Sequence, residues 1–330
     1  MNNALEHVEQ KLAEVPAGQL TEIFHHPDGT QTVRRAEDAK VPAESKLLTE
    51  TFDLYPGIRF SYHYYLADCF HFHHRHGSSV LSVDHCRTGR IGWEMKDGLS
   101  LYYGGGDLSF HFTDKCSDSR ISLPLGYYEG VTILLDLSIL NETLPELMAE
   151  AHIDAGALCR KFCGVKETAA IPANSRIEHV FSEVYDLPEQ LKLPYLKLKC
   201  QELLFFLSME DPDGEKALDL QYSRQVEIIK EIHRRMTEHP ECRYTIEALS
   251  REYLINTATL KSVFKSVYGM PVASYMKQYR ITKSAALLRT SDASIASIAR
   301  AVGYESQSKF TAAFKDIMKI LPTDYRRQYL

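Results

Sequence analysis

No apolar run in this chain approaches the ~20 residues needed to cross a bilayer. Its start, Met1-Asn2-Asn3-Ala4-Leu5-Glu6-His7, lacks a basic stretch followed by an apolar core. Neither a membrane span nor a secretory leader is therefore expected, and the protein is placed in the cytoplasm. Cysteine is sparse and unpaired. Seven residues, at 69, 86, 116, 159, 163, 200 and 242, show no CxxC spacing, so reduced thiols are the expectation and a disulfide framework is not. Phosphate-cradling loops are absent too, since Gly104-Gly105-Gly106 precedes a strand pattern and not a helix whose N-terminus would hold phosphate. A convergent acid–base pair, a nucleophile with its base and a complete metal set are also missing. No catalytic residue, metal or cofactor is assigned, and the chain is not expected to be an enzyme.

Positive charge is scarce overall, with 38 Lys+Arg against 44 Asp+Glu and a net charge of -6. The average hides two opposite parts. Residues 221–330 hold 18 Lys+Arg and 10 Asp+Glu, a net of +8, which leaves 20 and 34, a net of -14, for residues 1–220. A basic terminal domain suits phosphate neutralisation, in which each contacted phosphate releases counterions. At 330 residues, 44% apolar and 25% charged, the composition is that of a globular protein of two or three domains.

The basic part contains a repeat. Leu249, Leu260, Phe264 and Lys265 recur fifty residues on as Ala299, Phe310, Phe314 and Lys315, and Pro271 recurs as Pro322. Each copy reads as a helix-turn-helix. In the first, Thr245 caps a helix through Leu249, and a second helix starts at Asn256 or Thr257. Leu260, Val263, Phe264 and Val267 fall at i, i+3, i+4 and i+7, so Thr259, Lys261, Ser262 and Lys265 point outward. In the second copy Ile295, Ile298 and Ala299 pack, Gly303-Tyr304 turns, and Ser308 is expected to cap a helix burying Phe310, Ala313, Phe314 and Ile317. Gln307, Lys309, Thr311, Ala312 and Lys315 remain outside. Residues 272–289, free of Pro and Gly, predict one connecting helix of ~27 Å, which would set two recognition helices about one DNA turn apart in successive major grooves. The candidate DNA-binding residues are therefore Asn256, Thr257, Thr259, Lys261, Ser262, Lys265, Gln307, Ser308, Lys309, Thr311 and Lys315.

Residues 294–310, running Ser-Ile-Ala-Ser-Ile-Ala-Arg-Ala-Val-Gly-Tyr-Glu-Ser-Gln-Ser-Lys-Phe, with Phe314-Lys315, Pro322 and Tyr325-Arg326, resemble the signature of the AraC/XylS family of bacterial transcription regulators. The resemblance covers about the last hundred residues. It implies a double helix-turn-helix domain binding double-stranded promoter DNA, an attached cupin-like regulatory domain, activator behaviour, and RNA polymerase as a partner. Two departures stand out. Many members carry Arg in the second turn of each recognition helix, where this chain has Ser262 and Ala312, so an arginine fork on guanine is not available at Ala312. Lys261 and Lys309 are the long cations in its place, and Gln307 the amide suited to adenine. The Gly usual before the closing Pro, present as Gly269, is Lys319 in the second copy, which predicts a different helix C-cap there.

The fold class expected is α+β, with an N-terminal β-barrel plus helices and a C-terminal all-α domain. Residues 1–50, polar and charge-rich, read as a short helix or two and a loose arm. Residues 51–138 alternate β-branched and aromatic residues between turns, which predicts strands at 58–65, 80–87, 91–96, 100–103, 108–113 and 131–137 in a small barrel or sandwich. Its place before the double helix-turn-helix resembles the family's sensor domain. Asp84-His85-Cys86-Arg87-Thr88-Gly89-Arg90, Gly106-Asp107-Leu108, Pro124 and Tyr127-Tyr128-Glu129-Gly130 resemble more narrowly a subgroup akin to the siderophore regulator PchR.

His71, His73, His74 and His76 fall within six residues, with His63, His85 and His111 on neighbouring strands. Two readings stay open: a facing imidazole pair contributing to a metal site, or hydrogen-bonded histidines at a barrel rim. A carboxylate a few residues after the His-x-His, as metal cupins have, is missing. Alternate aromatic positions could line a small-molecule cavity or simply pack. Tyr62, Tyr64, His71, His73, Trp93 and Tyr102 are the candidate ligand-binding residues.

Helices follow at 139–150, 155–163, 177–187 and 192–209. Leu193, Leu196, Leu203, Leu204 and Leu207 form a wide apolar stripe, read either as a homodimer surface, as the family resemblance implies for residues 139–209, or as intramolecular packing. Residues 210–221, containing Glu-Asp-Pro-Asp-Gly-Glu-Lys, predict the interdomain linker before the DNA-binding domain at 222–330. Three functions compete: a regulator answering a small-molecule effector, a regulator that is constitutive or protein-controlled, and a cupin-type enzyme.

Overall fold

The computed structural model describes residues 2–26, 28–72, 80–95, 98–113, 119–140, 142–163, 168–209 and 218–329. They divide into two units, Met1–Leu220 and Gln221–Leu330. Most of the expected linker, and His73, His74 and His76, lie outside the described residues.

In the first unit α1 (Asn2–Lys11) precedes β1 (Gln19–His25), β2 (Gln31–Arg35), β3 (Ala39–Lys40), β4 (Lys46–Tyr55), β5 (Ile58–Leu66), β6 (Cys69–Phe72), β7 (Val80–Glu94), β8 (Leu99–Gly104), β9 (Leu108–Phe112), β10 (Ser119–Ser122) and β11 (Tyr127–Asp136). Then come α2 (Leu137–Leu140), α3 (Glu146–Glu150), α4 (Ala155–Cys163), β12 (Thr168–Ile171), α5 (Ser175–Phe181) and α6 (Glu189–Met209). One sheet runs β2-β1-β4-β5-β11-β7, extended from β7 by β9 and β12. The second runs β7-β10-β6-β3, with β8 also on β7. The 15-residue β7 thus serves both sheets of a curled, cupin-like half-barrel.

Gly89 makes that sharing possible. It sits at φ 83° with Tyr127 O only 2.3 Å from where a Cβ would stand, so no larger residue fits where β7 leaves one sheet for the other. The two strands expected at 80–87 and 91–96 are therefore one, because Thr88-Gly89 bends a strand and does not end it.

Residues 1–50 form no loose arm. They supply α1, β1–β3 and the start of β4, with β1 parallel to β4 and antiparallel to β2. All five residues of β2 are exposed, so the alternation that marks a half-buried strand is absent from its sequence. The helix expected over 139–150 splits into α2 and α3, with Pro145 as the N-cap of the second.

Strand parity sends alternate side chains to two cores. Phe60, Tyr62, Tyr64, Leu81, Val83, Val131 and Ile133 face outward, under Val8 and Leu12 of α1 and Leu196, Cys200, Leu203, Leu204 and Leu207 of α6. The leucine stripe read from the sequence as a possible dimer surface is thus mostly buried within its own unit. A different set on α6, Leu191, Leu198 and Met209, is 56%, 57% and 76% exposed. The second core, between the sheets, gathers Leu47, Tyr65, Phe70, Cys86, Ile91, Trp93, Leu101, Tyr103, Ile121 and Tyr128.

The second unit holds α7 (Ser223–Glu238), α8 (Ile246–Glu252), α9 (Thr257–Tyr268), α10 (Val272–Thr290), α11 (Ile295–Ala301), α12 (Gln307–Met318) and α13 (Pro322–Tyr329). Side-chain caps start the four helices of the repeat. Thr245 accepts from Ala248 N, Asn256 from Thr259 N, Ser294 from Ser297 N and Ser306 from Lys309 N. Ser306, not the expected Ser308, is the cap of α12. Lys319 ends α12 in the left-handed conformation, φ 62°, as Gly269 ends α9 at φ 81°. The different cap expected at Lys319 is absent: the same geometry is kept, at the steric cost of a Cβ.

Among the described residues no helix is long and apolar enough to cross a membrane.

Candidate DNA-contacting face and internal cavity

The second helix of each motif is anchored by aromatics. On α9, Leu260, Val263, Phe264 and Val267 are buried, and Phe264 and Tyr268 pack with Tyr275 of α10 and His233 of α7. On α12, Phe310 and Phe314 are fully buried against Tyr304 and Tyr325. The opposite faces are open. Thr257, Lys261, Ser262 and Lys265 are exposed on α9, and Gln307, Ser308, Lys309, Ala312 and Lys315 on α12, while Thr259 and Thr311 are half-buried. Exposed Asn256 spends its side-chain oxygen on the Thr259 amide at 2.8 Å, and Lys309 Nζ lies 3.3 Å from Glu305.

α10, 19 residues and about 28 Å long, joins the two motifs. Its Lys277 Nζ donates to Asp316 Oδ2 of α12 at 2.7 Å, and its Arg280 donates to Pro240 O and Cys242 O, both at 2.8 Å, in the loop before α8. One helix therefore holds both motifs. Gly303 lies against that loop, where a Cβ would stand 2.5 Å from Pro240 O.

Between the two sheets of the first unit lies a cavity of about 210 Å³. Its walls differ. From the first sheet come Thr49, Thr51, Ser61, His63, Ser82, Asp84, His111 and Thr132, with Tyr128 on the same strand as Thr132; facing them are Phe70, Phe72, Ile91, Trp93, Tyr103 and Ile121. Most of the polar wall is hydrogen-bonded within itself. His63 Nδ1 meets Thr49 Oγ1 at 3.0 Å and Tyr65 OH at 2.7 Å, and its Nε2 meets Thr132 Oγ1 at 2.8 Å. Thr132 and Ser82 donate to Asp84 Oδ1 at 2.6 and 3.1 Å, and His111 Nδ1 lies 3.1 Å from Asp84 Oδ2.

Burial pushes His63 down to about 4, against the pull of Asp84, so the ring is neutral near pH 7. Burial acts to raise the Asp84 carboxyl, but His111 and the Thr132 hydroxyl outweigh it and hold the group below its usual range, as the anion.

Of the six ligand residues expected from sequence, Trp93 lines this cavity. Tyr62 and Tyr64 do not. They sit on the outer face, where Tyr62 OH donates to Val184 O at 2.5 Å and Lys11 covers the Tyr64 ring. His71 is exposed on the far side of β6 from Phe70 and Phe72, and Tyr102 is buried against Gly92, opposite Tyr103. His73 lies outside the described residues. The difference is one of parity, since moving one position along a strand changes the face. Ser61, Tyr65 and Thr132, which also line it or touch its lining, were not singled out from the sequence, while His63 and His111 were read only as histidines of a metal site or a barrel rim and Asp84 only as part of a family-like segment. Their signal was present as polar residues two apart on strands whose other positions are mostly apolar: Thr49 and Thr51, Ser61 and His63, Ser82 and Asp84.

Among the described residues no group of three or more His, Cys, Asp or Glu is placed to hold a metal.

Residues 249–328 match a family model described as a helix-turn-helix domain. A putative AraC-like transcription regulator from Streptomyces lividans is 35% identical over 88 residues, 27% of this chain and 29% of the relative. The chain thus spans 29% of the length of that relative. The HTH-type transcriptional regulator ExsA from Pseudomonas aeruginosa is 26% identical over 227 residues, 66% of this chain and 74% of its own. Among solved structures, the C-terminal domain of AraT, a response regulator from Geobacillus stearothermophilus, is 27% identical, covers 31% of this chain and 84% of its own, and has a TM-score of 0.30.

Proposed function

We infer that this chain, whose C-terminal unit is an AraC-type helix-turn-helix domain, is a sequence-specific DNA-binding transcription regulator and not an enzyme. The observation that carries the reading is the duplicated motif with two exposed helix faces, α9 and α12, joined by the single helix α10. Both would enter successive major grooves of promoter DNA, with Lys261, Lys265, Lys309 and Lys315 neutralising phosphates and Gln307, Thr257 and Ser262 near base edges. Gel-shift titration of the full chain against fragments of the promoters it controls tests this. Binding indifferent to sequence, or absent at low salt, would overturn it.

The first unit is the regulatory part in this reading. Its cavity, walled by hydroxyls on one side and aromatics on the other, suits a small-molecule effector whose binding shifts the population able to occupy DNA. A homodimer fits the exposed side of α6. Leu191, Tyr195, Leu198, Glu202, Phe205 and Met209 recur at steps of four and three, the spacing of a helix seam, and Leu191, Leu198 and Met209 stand open. RNA polymerase would be the further partner of an activator.

A further inference from the structure

We propose that the cavity takes a small planar organic cation, a single ring bearing an amidinium or ammonium group, with its N–H donors on Asp84 and its ring against the aromatic wall. The proposal rests on the reading of this cavity as an effector site.

Asp84 is the centre of the argument. It is 3% exposed and lies in the polar wall. Its Oδ1 accepts from Thr132 and Ser82. Its Oδ2 is buried without a well-formed hydrogen bond, with His111 Nδ1 the neighbour at 3.1 Å. A carboxylate oxygen accepts two donors, so beyond His111 this atom keeps one acceptor position, which a ligand N–H reaches once the side chains covering it shift. A buried anion short of donors is costly, and a charge-assisted bond from a cation is the strongest way to satisfy it.

The rest of the lining argues against an anion. Arg34 and Arg59 stand at the rim, with side chains 60% and 41% exposed, and are engaged by Glu22 at 2.8 Å and Asp53 at 3.0 Å. His63, held by Thr49, Tyr65 and Thr132, is neutral, and His111 is already engaged by Asp84 at 3.1 Å, so a ligand carboxylate would meet Asp84 without a free cation from either ring. Across the cavity stand Trp93, Tyr103 and Phe70, whose ring faces attract cations. The 210 Å³ equals about seven waters' share of liquid, room for one ring and a short substituent.

Trp93 lines the cavity and is the single tryptophan of the chain, so tryptophan emission, excited beyond tyrosine absorption, reports this site alone. Full-length protein is titrated with benzamidine, benzamide and benzoate, which share a ring and differ in charge. Benzamidine should give a saturable change, with benzamide weaker by roughly tenfold or more and benzoate without effect. Asp84→Asn should remove the preference for benzamidine. Should that variant fail to fold, the charge series on the unaltered protein still decides. Benzoate or benzamide binding as well as benzamidine overturns the cation assignment and leaves the effector cavity standing, as does a saturable response retained in full by Asp84→Asn. No response to benzamidine overturns the proposal. Ser61→Leu, which fills the polar wall without touching Asp84, should abolish every response. A response that survives it places the site elsewhere and overturns the cavity reading itself.

Discussion

Gly269 and Lys319, fifty residues apart, hold the same left-handed backbone conformation, and each sends its amide to the carbonyl four residues back, Lys265 and Lys315. Glycine adopts this conformation without penalty; a lysine Cβ crowds the following carbonyl. Lys319→Gly should therefore stabilise the second motif by about 1 kcal/mol, less the extra entropy glycine brings to the unfolded chain. Gly269→Ala should destabilise the first motif by about 1 kcal/mol or more. Denaturant unfolding of both variants measures the difference, and equal effects of the same sign would refute the shared geometry.

Lys261 and Gln307 occupy the exposed faces of α9 and α12. Lys261→Ala should weaken binding to all DNA alike and reduce the salt slope by about 1. Gln307→Ala should cost about 1–3 kcal/mol on the preferred operator and relax base preference at one position. Gel shifts across salt and operator variants separate the two, and unchanged affinity for both variants would sink the groove assignment.

His233 stacks on Tyr268 with centroids 4.2 Å apart, its Nε2 2.7 Å from Tyr275 OH. Burial pushes it down to about 4 from the ordinary 6.5. The unfolded chain then binds a proton that the folded chain refuses between those values, so stability rises with pH across that window and is lost as pH falls from 6.5 towards 4. His233→Phe should flatten this part of the stability profile relative to the parent. An unchanged slope would mean the ring protonates freely in the fold.

Leu198, 57% exposed at the middle of α6, should matter for assembly and little for folding. Leu198→Glu is expected to shift the protein towards monomer in sedimentation at micromolar concentration and to lower its operator affinity, with unfolding changed by less than about 0.5 kcal/mol. A parent protein that sediments as a monomer removes the dimer from the reading.

The helix-turn-helix repeat was legible because its signals are local. Caps at Thr245 and Asn256 and apolar steps of three and four lie within one or two turns of each residue concerned, and the fifty-residue offset repeats them. The cavity was not legible in the same way. Tyr62 and Tyr64 are as aromatic as Tyr65 and Tyr103, yet the first pair lies under α1 and α6 and the second pair lines the cavity.

The sequence by itself determined the charge division, the helical periods of the C-terminal unit and the polar–apolar alternation of β4, β5 and β7. Which face of each strand looks inward was decided only by tertiary structure, because β7 had to bend at Gly89 and join two sheets before an inside existed. Asp84, His63 and His111 come from three strands and meet only after that closure, through pairings between residues 25 to 67 positions apart that no local signal encodes.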